Sequence, residues 1–219
     1  MNTLDKLKNR RTYKVIGDTT HPSEPSNIKA DALDEIILAA GNAPFHYACD
    51  RIHMQTMQSP VPWRCHKLDT TGCQYLMQNL IDRGDTTKVP NMLAAAQYLL
   101  QVTWLPDSGT ILGDATSKED PVFAGTLRNM EHIAAGSAFI QSILLGAEQA
   151  GFKTYWSSGG PLRGEDVFSA LGIPAIELLL GSVFLFPDEP KSAEIKQGNL
   201  ASKRGQLSDW SRWCEINKV

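Results

Sequence analysis

The chain has 219 residues, of which 42% are hydrophobic and 21% charged, enough for one sizeable domain with its own core. A formal net charge of -3 excludes a globally basic nucleic-acid binder, and no apolar run approaches the roughly 20 residues of a membrane span. The first ten residues lack the apolar centre of a secretion signal, so the expectation is a cytoplasmic protein whose Cys49, Cys65, Cys73 and Cys214 stay free thiols.

In chain order, Thr3 can cap a short helix through Arg10, and residues Thr19 to Asn27 form a loop rich in Pro, Ser and Thr. Asp31 to Gly41 is an amphipathic helix, with Leu33, Ile36, Ile37 and Ala40 at helical spacing. Pro44, Pro60 and Pro62 punctuate the stretch that follows. Trp63 to Leu68 reads as a strand, Thr70 to Asp82 as a helix, and Ala95 to Leu105 as a buried strand. Asp120-Pro121 is a helix start, predicting a helix to Ala150 that is buried in the core or at a subunit contact, with Leu127, Met130 and Leu144 as its apolar bulk. Phe152 to Trp156 is a strand, Ser157 to Gly164 a loop, and Glu165 to Leu171 a helix ending at Gly172. Ile176 to Phe186 is the strongest strand and should be central. Asp188 to Gly205 reads as loop. Trp210 and Trp213 sit on a terminal segment that needs a surface to bury them. No repeat or linker divides the chain, so residues 1–219 make one domain.

Four short constellations could carry chemistry. Arg10-Arg11-Thr12-Tyr13-Lys14 puts three cations and a hydroxyl in five residues, which suits a phosphate. Trp156-Ser157-Ser158-Gly159-Gly160 ends a strand in small residues whose N–H groups can donate. Ser202-Lys203-Arg204 could complete a phosphate clamp, and His46 in Ala43-Pro44-Phe45-His46 could donate to a substrate. Taken singly each also fits a plainer role: a solvated helix end, a turn, a solvated tail, a structural histidine. The chain has no dinucleotide fingerprint, P-loop, nucleophile elbow or H-E-x-x-H. Cys49, His53, Cys65, His66 and Cys73 match no zinc template, so no metal is expected.

The ordered set resembles the FMN-dependent nitroreductase family, in its smaller, minimal branch. Arg10-Arg11-Thr12, Ala39-Ala40-Gly41-Asn42-Ala43-Pro44, Pro62-Trp63-Arg64, the long helix, Leu171-Gly172-Ile173-Pro174, Leu180-Gly181-Ser182 and Lys203-Arg204 follow the family's order over nearly the whole chain. The resemblance implies an α+β three-layer sandwich. A mostly antiparallel central sheet is flanked by helices, with a long buried central helix and an exchanged C-terminal segment. It also implies a homodimer with FMN at the subunit interface. Arg10, Arg11 and Thr12 would hold the phosphate, with Lys203 and Arg204 closing on it, and Lys14 would stand near the pyrimidine end of the ring. Trp156, Ser157, Ser158 and Gly159 would line the ring edge, while Pro44, Phe45 and His46 would come from the partner. The implied activity is ping-pong hydride transfer from NAD(P)H through FMN to a nitroaromatic or quinone. A flavin oxidase or dehydrogenase of a dedicated metabolite, a flavin binder without turnover, and a hydrolase using Ser158 and His132 are the alternatives. Tyr47 to Val61 departs from the family pattern and marks a substrate pocket or lid particular to this chain.

Overall fold

A computed structural model describes residues 3–25, 30–111, 122–190 and 193–214. The elements are α1 (Thr3–Asn9), β1 (Tyr13–Ile16), α2 (Ala30–Ala40), β2 (Trp63–Leu68), α3 (Thr70–Asp82), α4 (Val89–Ala95) and β3 (Tyr98–Trp104). After them come α5 (Leu127–Gln149), β4 (Lys153–Ser157), α6 (Glu165–Leu171), β5 (Leu178–Phe186) and β6 (Glu194–Gln197). Four strands form an antiparallel sheet in the order β2-β3-β5-β4. Every residue of β3 is buried, and all of β5 except Leu180. Their continuous apolar runs are what strands covered on both faces require.

Alternation along the strands then sorts side chains into two layers. Leu99, Phe184 and Phe186 pack with α3, α4 and α6, while Leu100, Val102, Val183 and Leu185 pack with α2 and α5. The result is a helix–sheet–helix sandwich, as the resemblance implied. Asp69 starts α3 by accepting the Gly72 N–H at 2.8 Å. A separate ribbon joins the two ends of the sequence: Tyr13 lies opposite Gln197 and Lys14 opposite Lys196, and the Gly198 N–H donates to the Thr12 carbonyl at 2.8 Å. Val15 anchors this ribbon in the core, and the Asn91 side chain donates to the Gly17 carbonyl at 3.0 Å.

Some boundaries differ from expectation. Helix α5 starts at Leu127; the Asp120-Pro121 pair lies outside the described residues, while 122–126 is not helical, with Phe123 bridged to Ile111. Its cap is Thr126, whose hydroxyl accepts the Asn129 N–H at 3.1 Å. Leu127 and Met130 are exposed on the chain. The strand expected from Ala95 begins at Tyr98, because Val89–Ala95 closes a helix with proline in its first turn. The stretch 188–205 is not all loop: it contains β6 and a 3-10 turn, Leu200–Lys203. Among the described residues no helix is long and apolar enough to cross a membrane.

Candidate cofactor site

The ribbon brings the two basic segments together. Arg10, Arg11, Gly198, Ser202 and Arg204 line one groove of about 630 Å3. Arg10 Nη1 turns to the Thr12 hydroxyl at 3.3 Å, and Arg11 Nη1 donates to the carbonyls of Lys8 and Arg10 at 2.8 and 3.0 Å. Among the described residues no carboxylate forms an ion pair with Arg10, Arg11, Lys203 or Arg204. Cations grouped this way have the chemistry to receive a phosphate. Lys203 is exposed and lies outside the lining.

Lys14 stands further along the same ribbon, its Nζ 5.4 Å from the centre of the Tyr155 ring. Burial first, then the nearby ammonium groups of Lys88 and Lys196, holds its pKa below the usual lysine range. Neither neighbour was singled out from sequence. Lys88 precedes α4 and Lys196 lies in β6, so only folding gathers the three. Strand β4 measures the distance onward. Lys153 at its start lies 5.6 Å from the Tyr13 ring, and Ser158 just past its end lines a second, larger hollow. Five strand residues span about 16 Å.

That hollow is a cleft of about 820 Å3, lined by Ser158, Gly160, Trp104, Phe123 and Leu179 and by Thr86 and Thr87, which precede Lys88. Gly159 and Gly160 have φ of 107° and 57°, and a Cβ on Gly159 would lie 2.6 Å from Leu179 Cδ2. Only glycine fits there. The Gly159 N–H is taken by the Ser157 hydroxyl at 3.2 Å. The Trp156 indole turns away from the cleft and packs over Gly181, where a Cβ would sit 2.0 Å from its Nε1. The Trp156-to-Gly160 segment therefore presents a small-residue tip to the cleft, with the indole in the core.

Pro44, Phe45 and His46 lie elsewhere. Phe45 packs edge-on to Trp63 with centroids 5.9 Å apart, and His46 Nδ1 is 3.2 Å from Glu131 on α5. The Arg11 backbone N–H donates to Glu148 near the other end of α5. Seventeen helical residues separate these two contacts by about 25 Å. One chain brings the basic segments, Lys14 and the glycine tip into a single track, but not the Pro44–His46 segment.

Other chemistry is disfavoured by the same geometry. Burial pushes the Cys65 and Cys73 thiols up to about 12, so both stay protonated at neutral pH. His132, the base of the hydrolase alternative, is buried and spends Nδ1–H on the Leu105 carbonyl at 2.6 Å.

No family model matches the sequence, and no curated protein matches it. Solved structures do. The fold is similar to that of a nitroreductase-like family protein from Bacillus cereus, at 16% identity and a TM-score of 0.64, covering 99% of this chain and 97% of that one. It is also similar to a Desulfovibrio desulfuricans protein named as a nitroreductase and solved with FMN: 16% identity, TM-score 0.58, 99% of both chains. An FMN- and NADPH-dependent nitroreductase from a Sphigopyxis strain matches at 12% identity and TM-score 0.60, over 99% of this chain and 100% of that one.

Proposed function

We propose, from the premise that this chain carries the nitroreductase-like fold, that it is an FMN-dependent oxidoreductase acting as a homodimer in the cytoplasm. One observation carries the reading: cations from both basic segments share a groove, with no carboxylate ion-paired to their side chains among the described residues, and a strand leads from that groove to a glycine-tipped cleft. The residues present suit a ring joined to a phosphate through a ribityl chain. Arg10, Arg11, Thr12 and Arg204 hold the phosphate, with Lys203 nearby in the same turn. Lys14, backed by Lys88 and Lys196, sets positive charge beside the pyrimidine edge of the ring, where electron density gathers on reduction. Ser158 and the Gly159–Gly160 turn let the ring edge approach main chain closely.

When bound, FMN supplies the hydride chemistry, accepting from NAD(P)H and donating to a nitroaromatic, a quinone or a related acceptor in ping-pong turns. The protein's part is to bind, orient and exclude water. The Pro44–His46 segment cannot reach the groove of its own chain, which supports its delivery from a second copy. The described side chains from Glu194 to Cys214 are all exposed, Trp213 by 99%, which supports docking of this arm on that copy.

The test begins with a visible spectrum of the purified protein after incubation with FMN, then anaerobic addition of NADH or NADPH. The expected result is a bound flavin that bleaches with one or both nicotinamides. Lys14→Ala should slow bleaching, whereas Arg204→Ala should mainly weaken FMN retention, by about tenfold for one lost charge-assisted contact. A colourless protein, or both variants indistinguishable from the parent, would reject the assignment. A yellow protein that does not bleach would favour a flavin binder without turnover.

A further inference from the structure

We propose that Arg64 is the positioning residue for the aromatic wall of the cleft, and so for which acceptors fit; this rests on the flavin reading above. Arg64 lies on β2 with 3% of its surface exposed. A buried guanidinium ordinarily faces a carboxylate. This one is caged by main-chain oxygens instead. Nη1 donates to the carbonyls of Val61 and Trp63 at 2.9 and 2.8 Å. Nη2 donates to those of His53, Met57 and Ser59 at 2.9, 3.0 and 3.0 Å. The cage gives shape to the Cys49–Val61 segment, whose own regular structure is one 3-10 turn, Arg51–Met54. A lysine could not replace it, since an ammonium has three donors on a flexible stem.

The same segment grips the far end of β3. His53 Nε2–H donates to the Pro106 carbonyl at 2.8 Å, and Asp50 accepts from the Ser108 N–H and hydroxyl at 2.8 and 2.6 Å. Pro106 is two residues past Trp104, whose ring meets Phe123 edge-on with centroids 5.0 Å apart. Both rings line the cleft. A relay of hydrogen bonds and main chain thus runs from Arg64 through His53 to the wall, and no member of it lines the basic groove. Two edge-packed rings lining the cleft with Leu179 favour a flat, single-ring aromatic acceptor. A wall displaced by about 1 Å would change reactivity with such an acceptor by one to two orders of magnitude.

The experiment uses Arg64→Lys and His53→Phe in the full chain, with nitrobenzene as the single-ring probe and menadione as the two-ring probe. In Arg64→Lys, amide exchange at Cys49 and His53, whose N–H groups now bond the Pro60 and Asp50 carbonyls, should rise about tenfold or more, with or without FMN. FMN affinity should stay within about twofold, while KM for nitrobenzene rises about tenfold with little change in kcat, and the preference over menadione narrows. His53→Phe cuts the relay after the cage. It should give the same KM shift with both amides still protected, a pattern that mere loosening of the loop does not give. If Arg64→Lys fails to fold, His53→Phe alone decides. An unchanged nitrobenzene KM in His53→Phe overturns the proposal, as does a parallel loss of FMN affinity in both variants. A parent protein that takes up no FMN sinks the flavin reading and the acceptor role with it, while the exchange data still report whether Arg64 holds the segment.

Discussion

Lys14, Lys88 and Lys196 come together only in the folded chain, and partial burial first, then the charge of the other two, lowers the Lys14 pKa. The unfolded chain binds more protons than the folded one in the window just below the ordinary lysine range, so the ligand-free protein should gain stability as pH rises through it. Flavin binding should move the other way, because the same rise removes positive charge beside the pyrimidine edge of the ring. The expected outcome is FMN dissociation that strengthens on the alkaline side, beginning below the usual lysine pKa, and that is flattened in Lys14→Gln. A pH-independent dissociation constant across that window would contradict it. At this scale the sequence was legible where function is contiguous. Arg10 to Lys14 announces itself in five residues, whereas Lys88 and Lys196 belong to no local pattern. Arg64 was equally silent: its five carbonyl partners are main-chain atoms, which leave no trace in residue type.

Among the elements, β2, α3 and α6 lie where the sequence put them, because each has an apolar period and a clean stop or cap. Helix α4 went unassigned from sequence, apart from Ala95, which was given to the following strand; its residues other than Asn91 are apolar or small, and burial of nearly all of them erases the helical period. Strand β6 was missed for the opposite reason. Its four residues are all exposed, so no alternation marks them; main-chain pairing with β1 alone makes them a strand. The groove should depend on that pairing. Gly198→Pro deletes the N–H that bonds the Thr12 carbonyl, at a cost of about 1 kcal/mol, and crowds the Thr12 side chain. FMN affinity should fall by about tenfold while the far-ultraviolet dichroism stays that of the parent. Retained affinity would mean that the groove does not need the ribbon's last bond.

At the scale of the whole molecule, exposed large apolar side chains are spread over several elements, Leu4 and Leu7 on α1, Leu38 on α2 and Tyr75 on α3 among them. Helix α5 exposes Leu127 and Met130 at its start, and the C-terminal arm exposes Leu200, Leu207, Trp210 and Trp213. The two tryptophans offer on the order of a few hundred Å2, against about 800 Å2 per partner in a standard interface. A change of Trp210 and Trp213 together to Ser should therefore shift the protein from dimer to monomer in sedimentation and, because the Pro44–His46 segment would then be lost to the site, weaken FMN binding as well. A doubly substituted protein that stays dimeric would place the contact elsewhere. The sequence identified the tryptophans as needing cover. It could not say that their own chain leaves them bare, since that depends on where the arm leaves the ribbon.

The β1–β6 pairing has a bearing on biosynthesis. Closing a ribbon between such remote stretches is entropically slow, and β1 leaves the ribosome long before its partner β6. On the flavin reading, a nascent chain still lacking Lys196 through Arg204 has half a grip on the phosphate and no ribbon to aim it. Uptake of the cofactor is then deferred until β6 has been made.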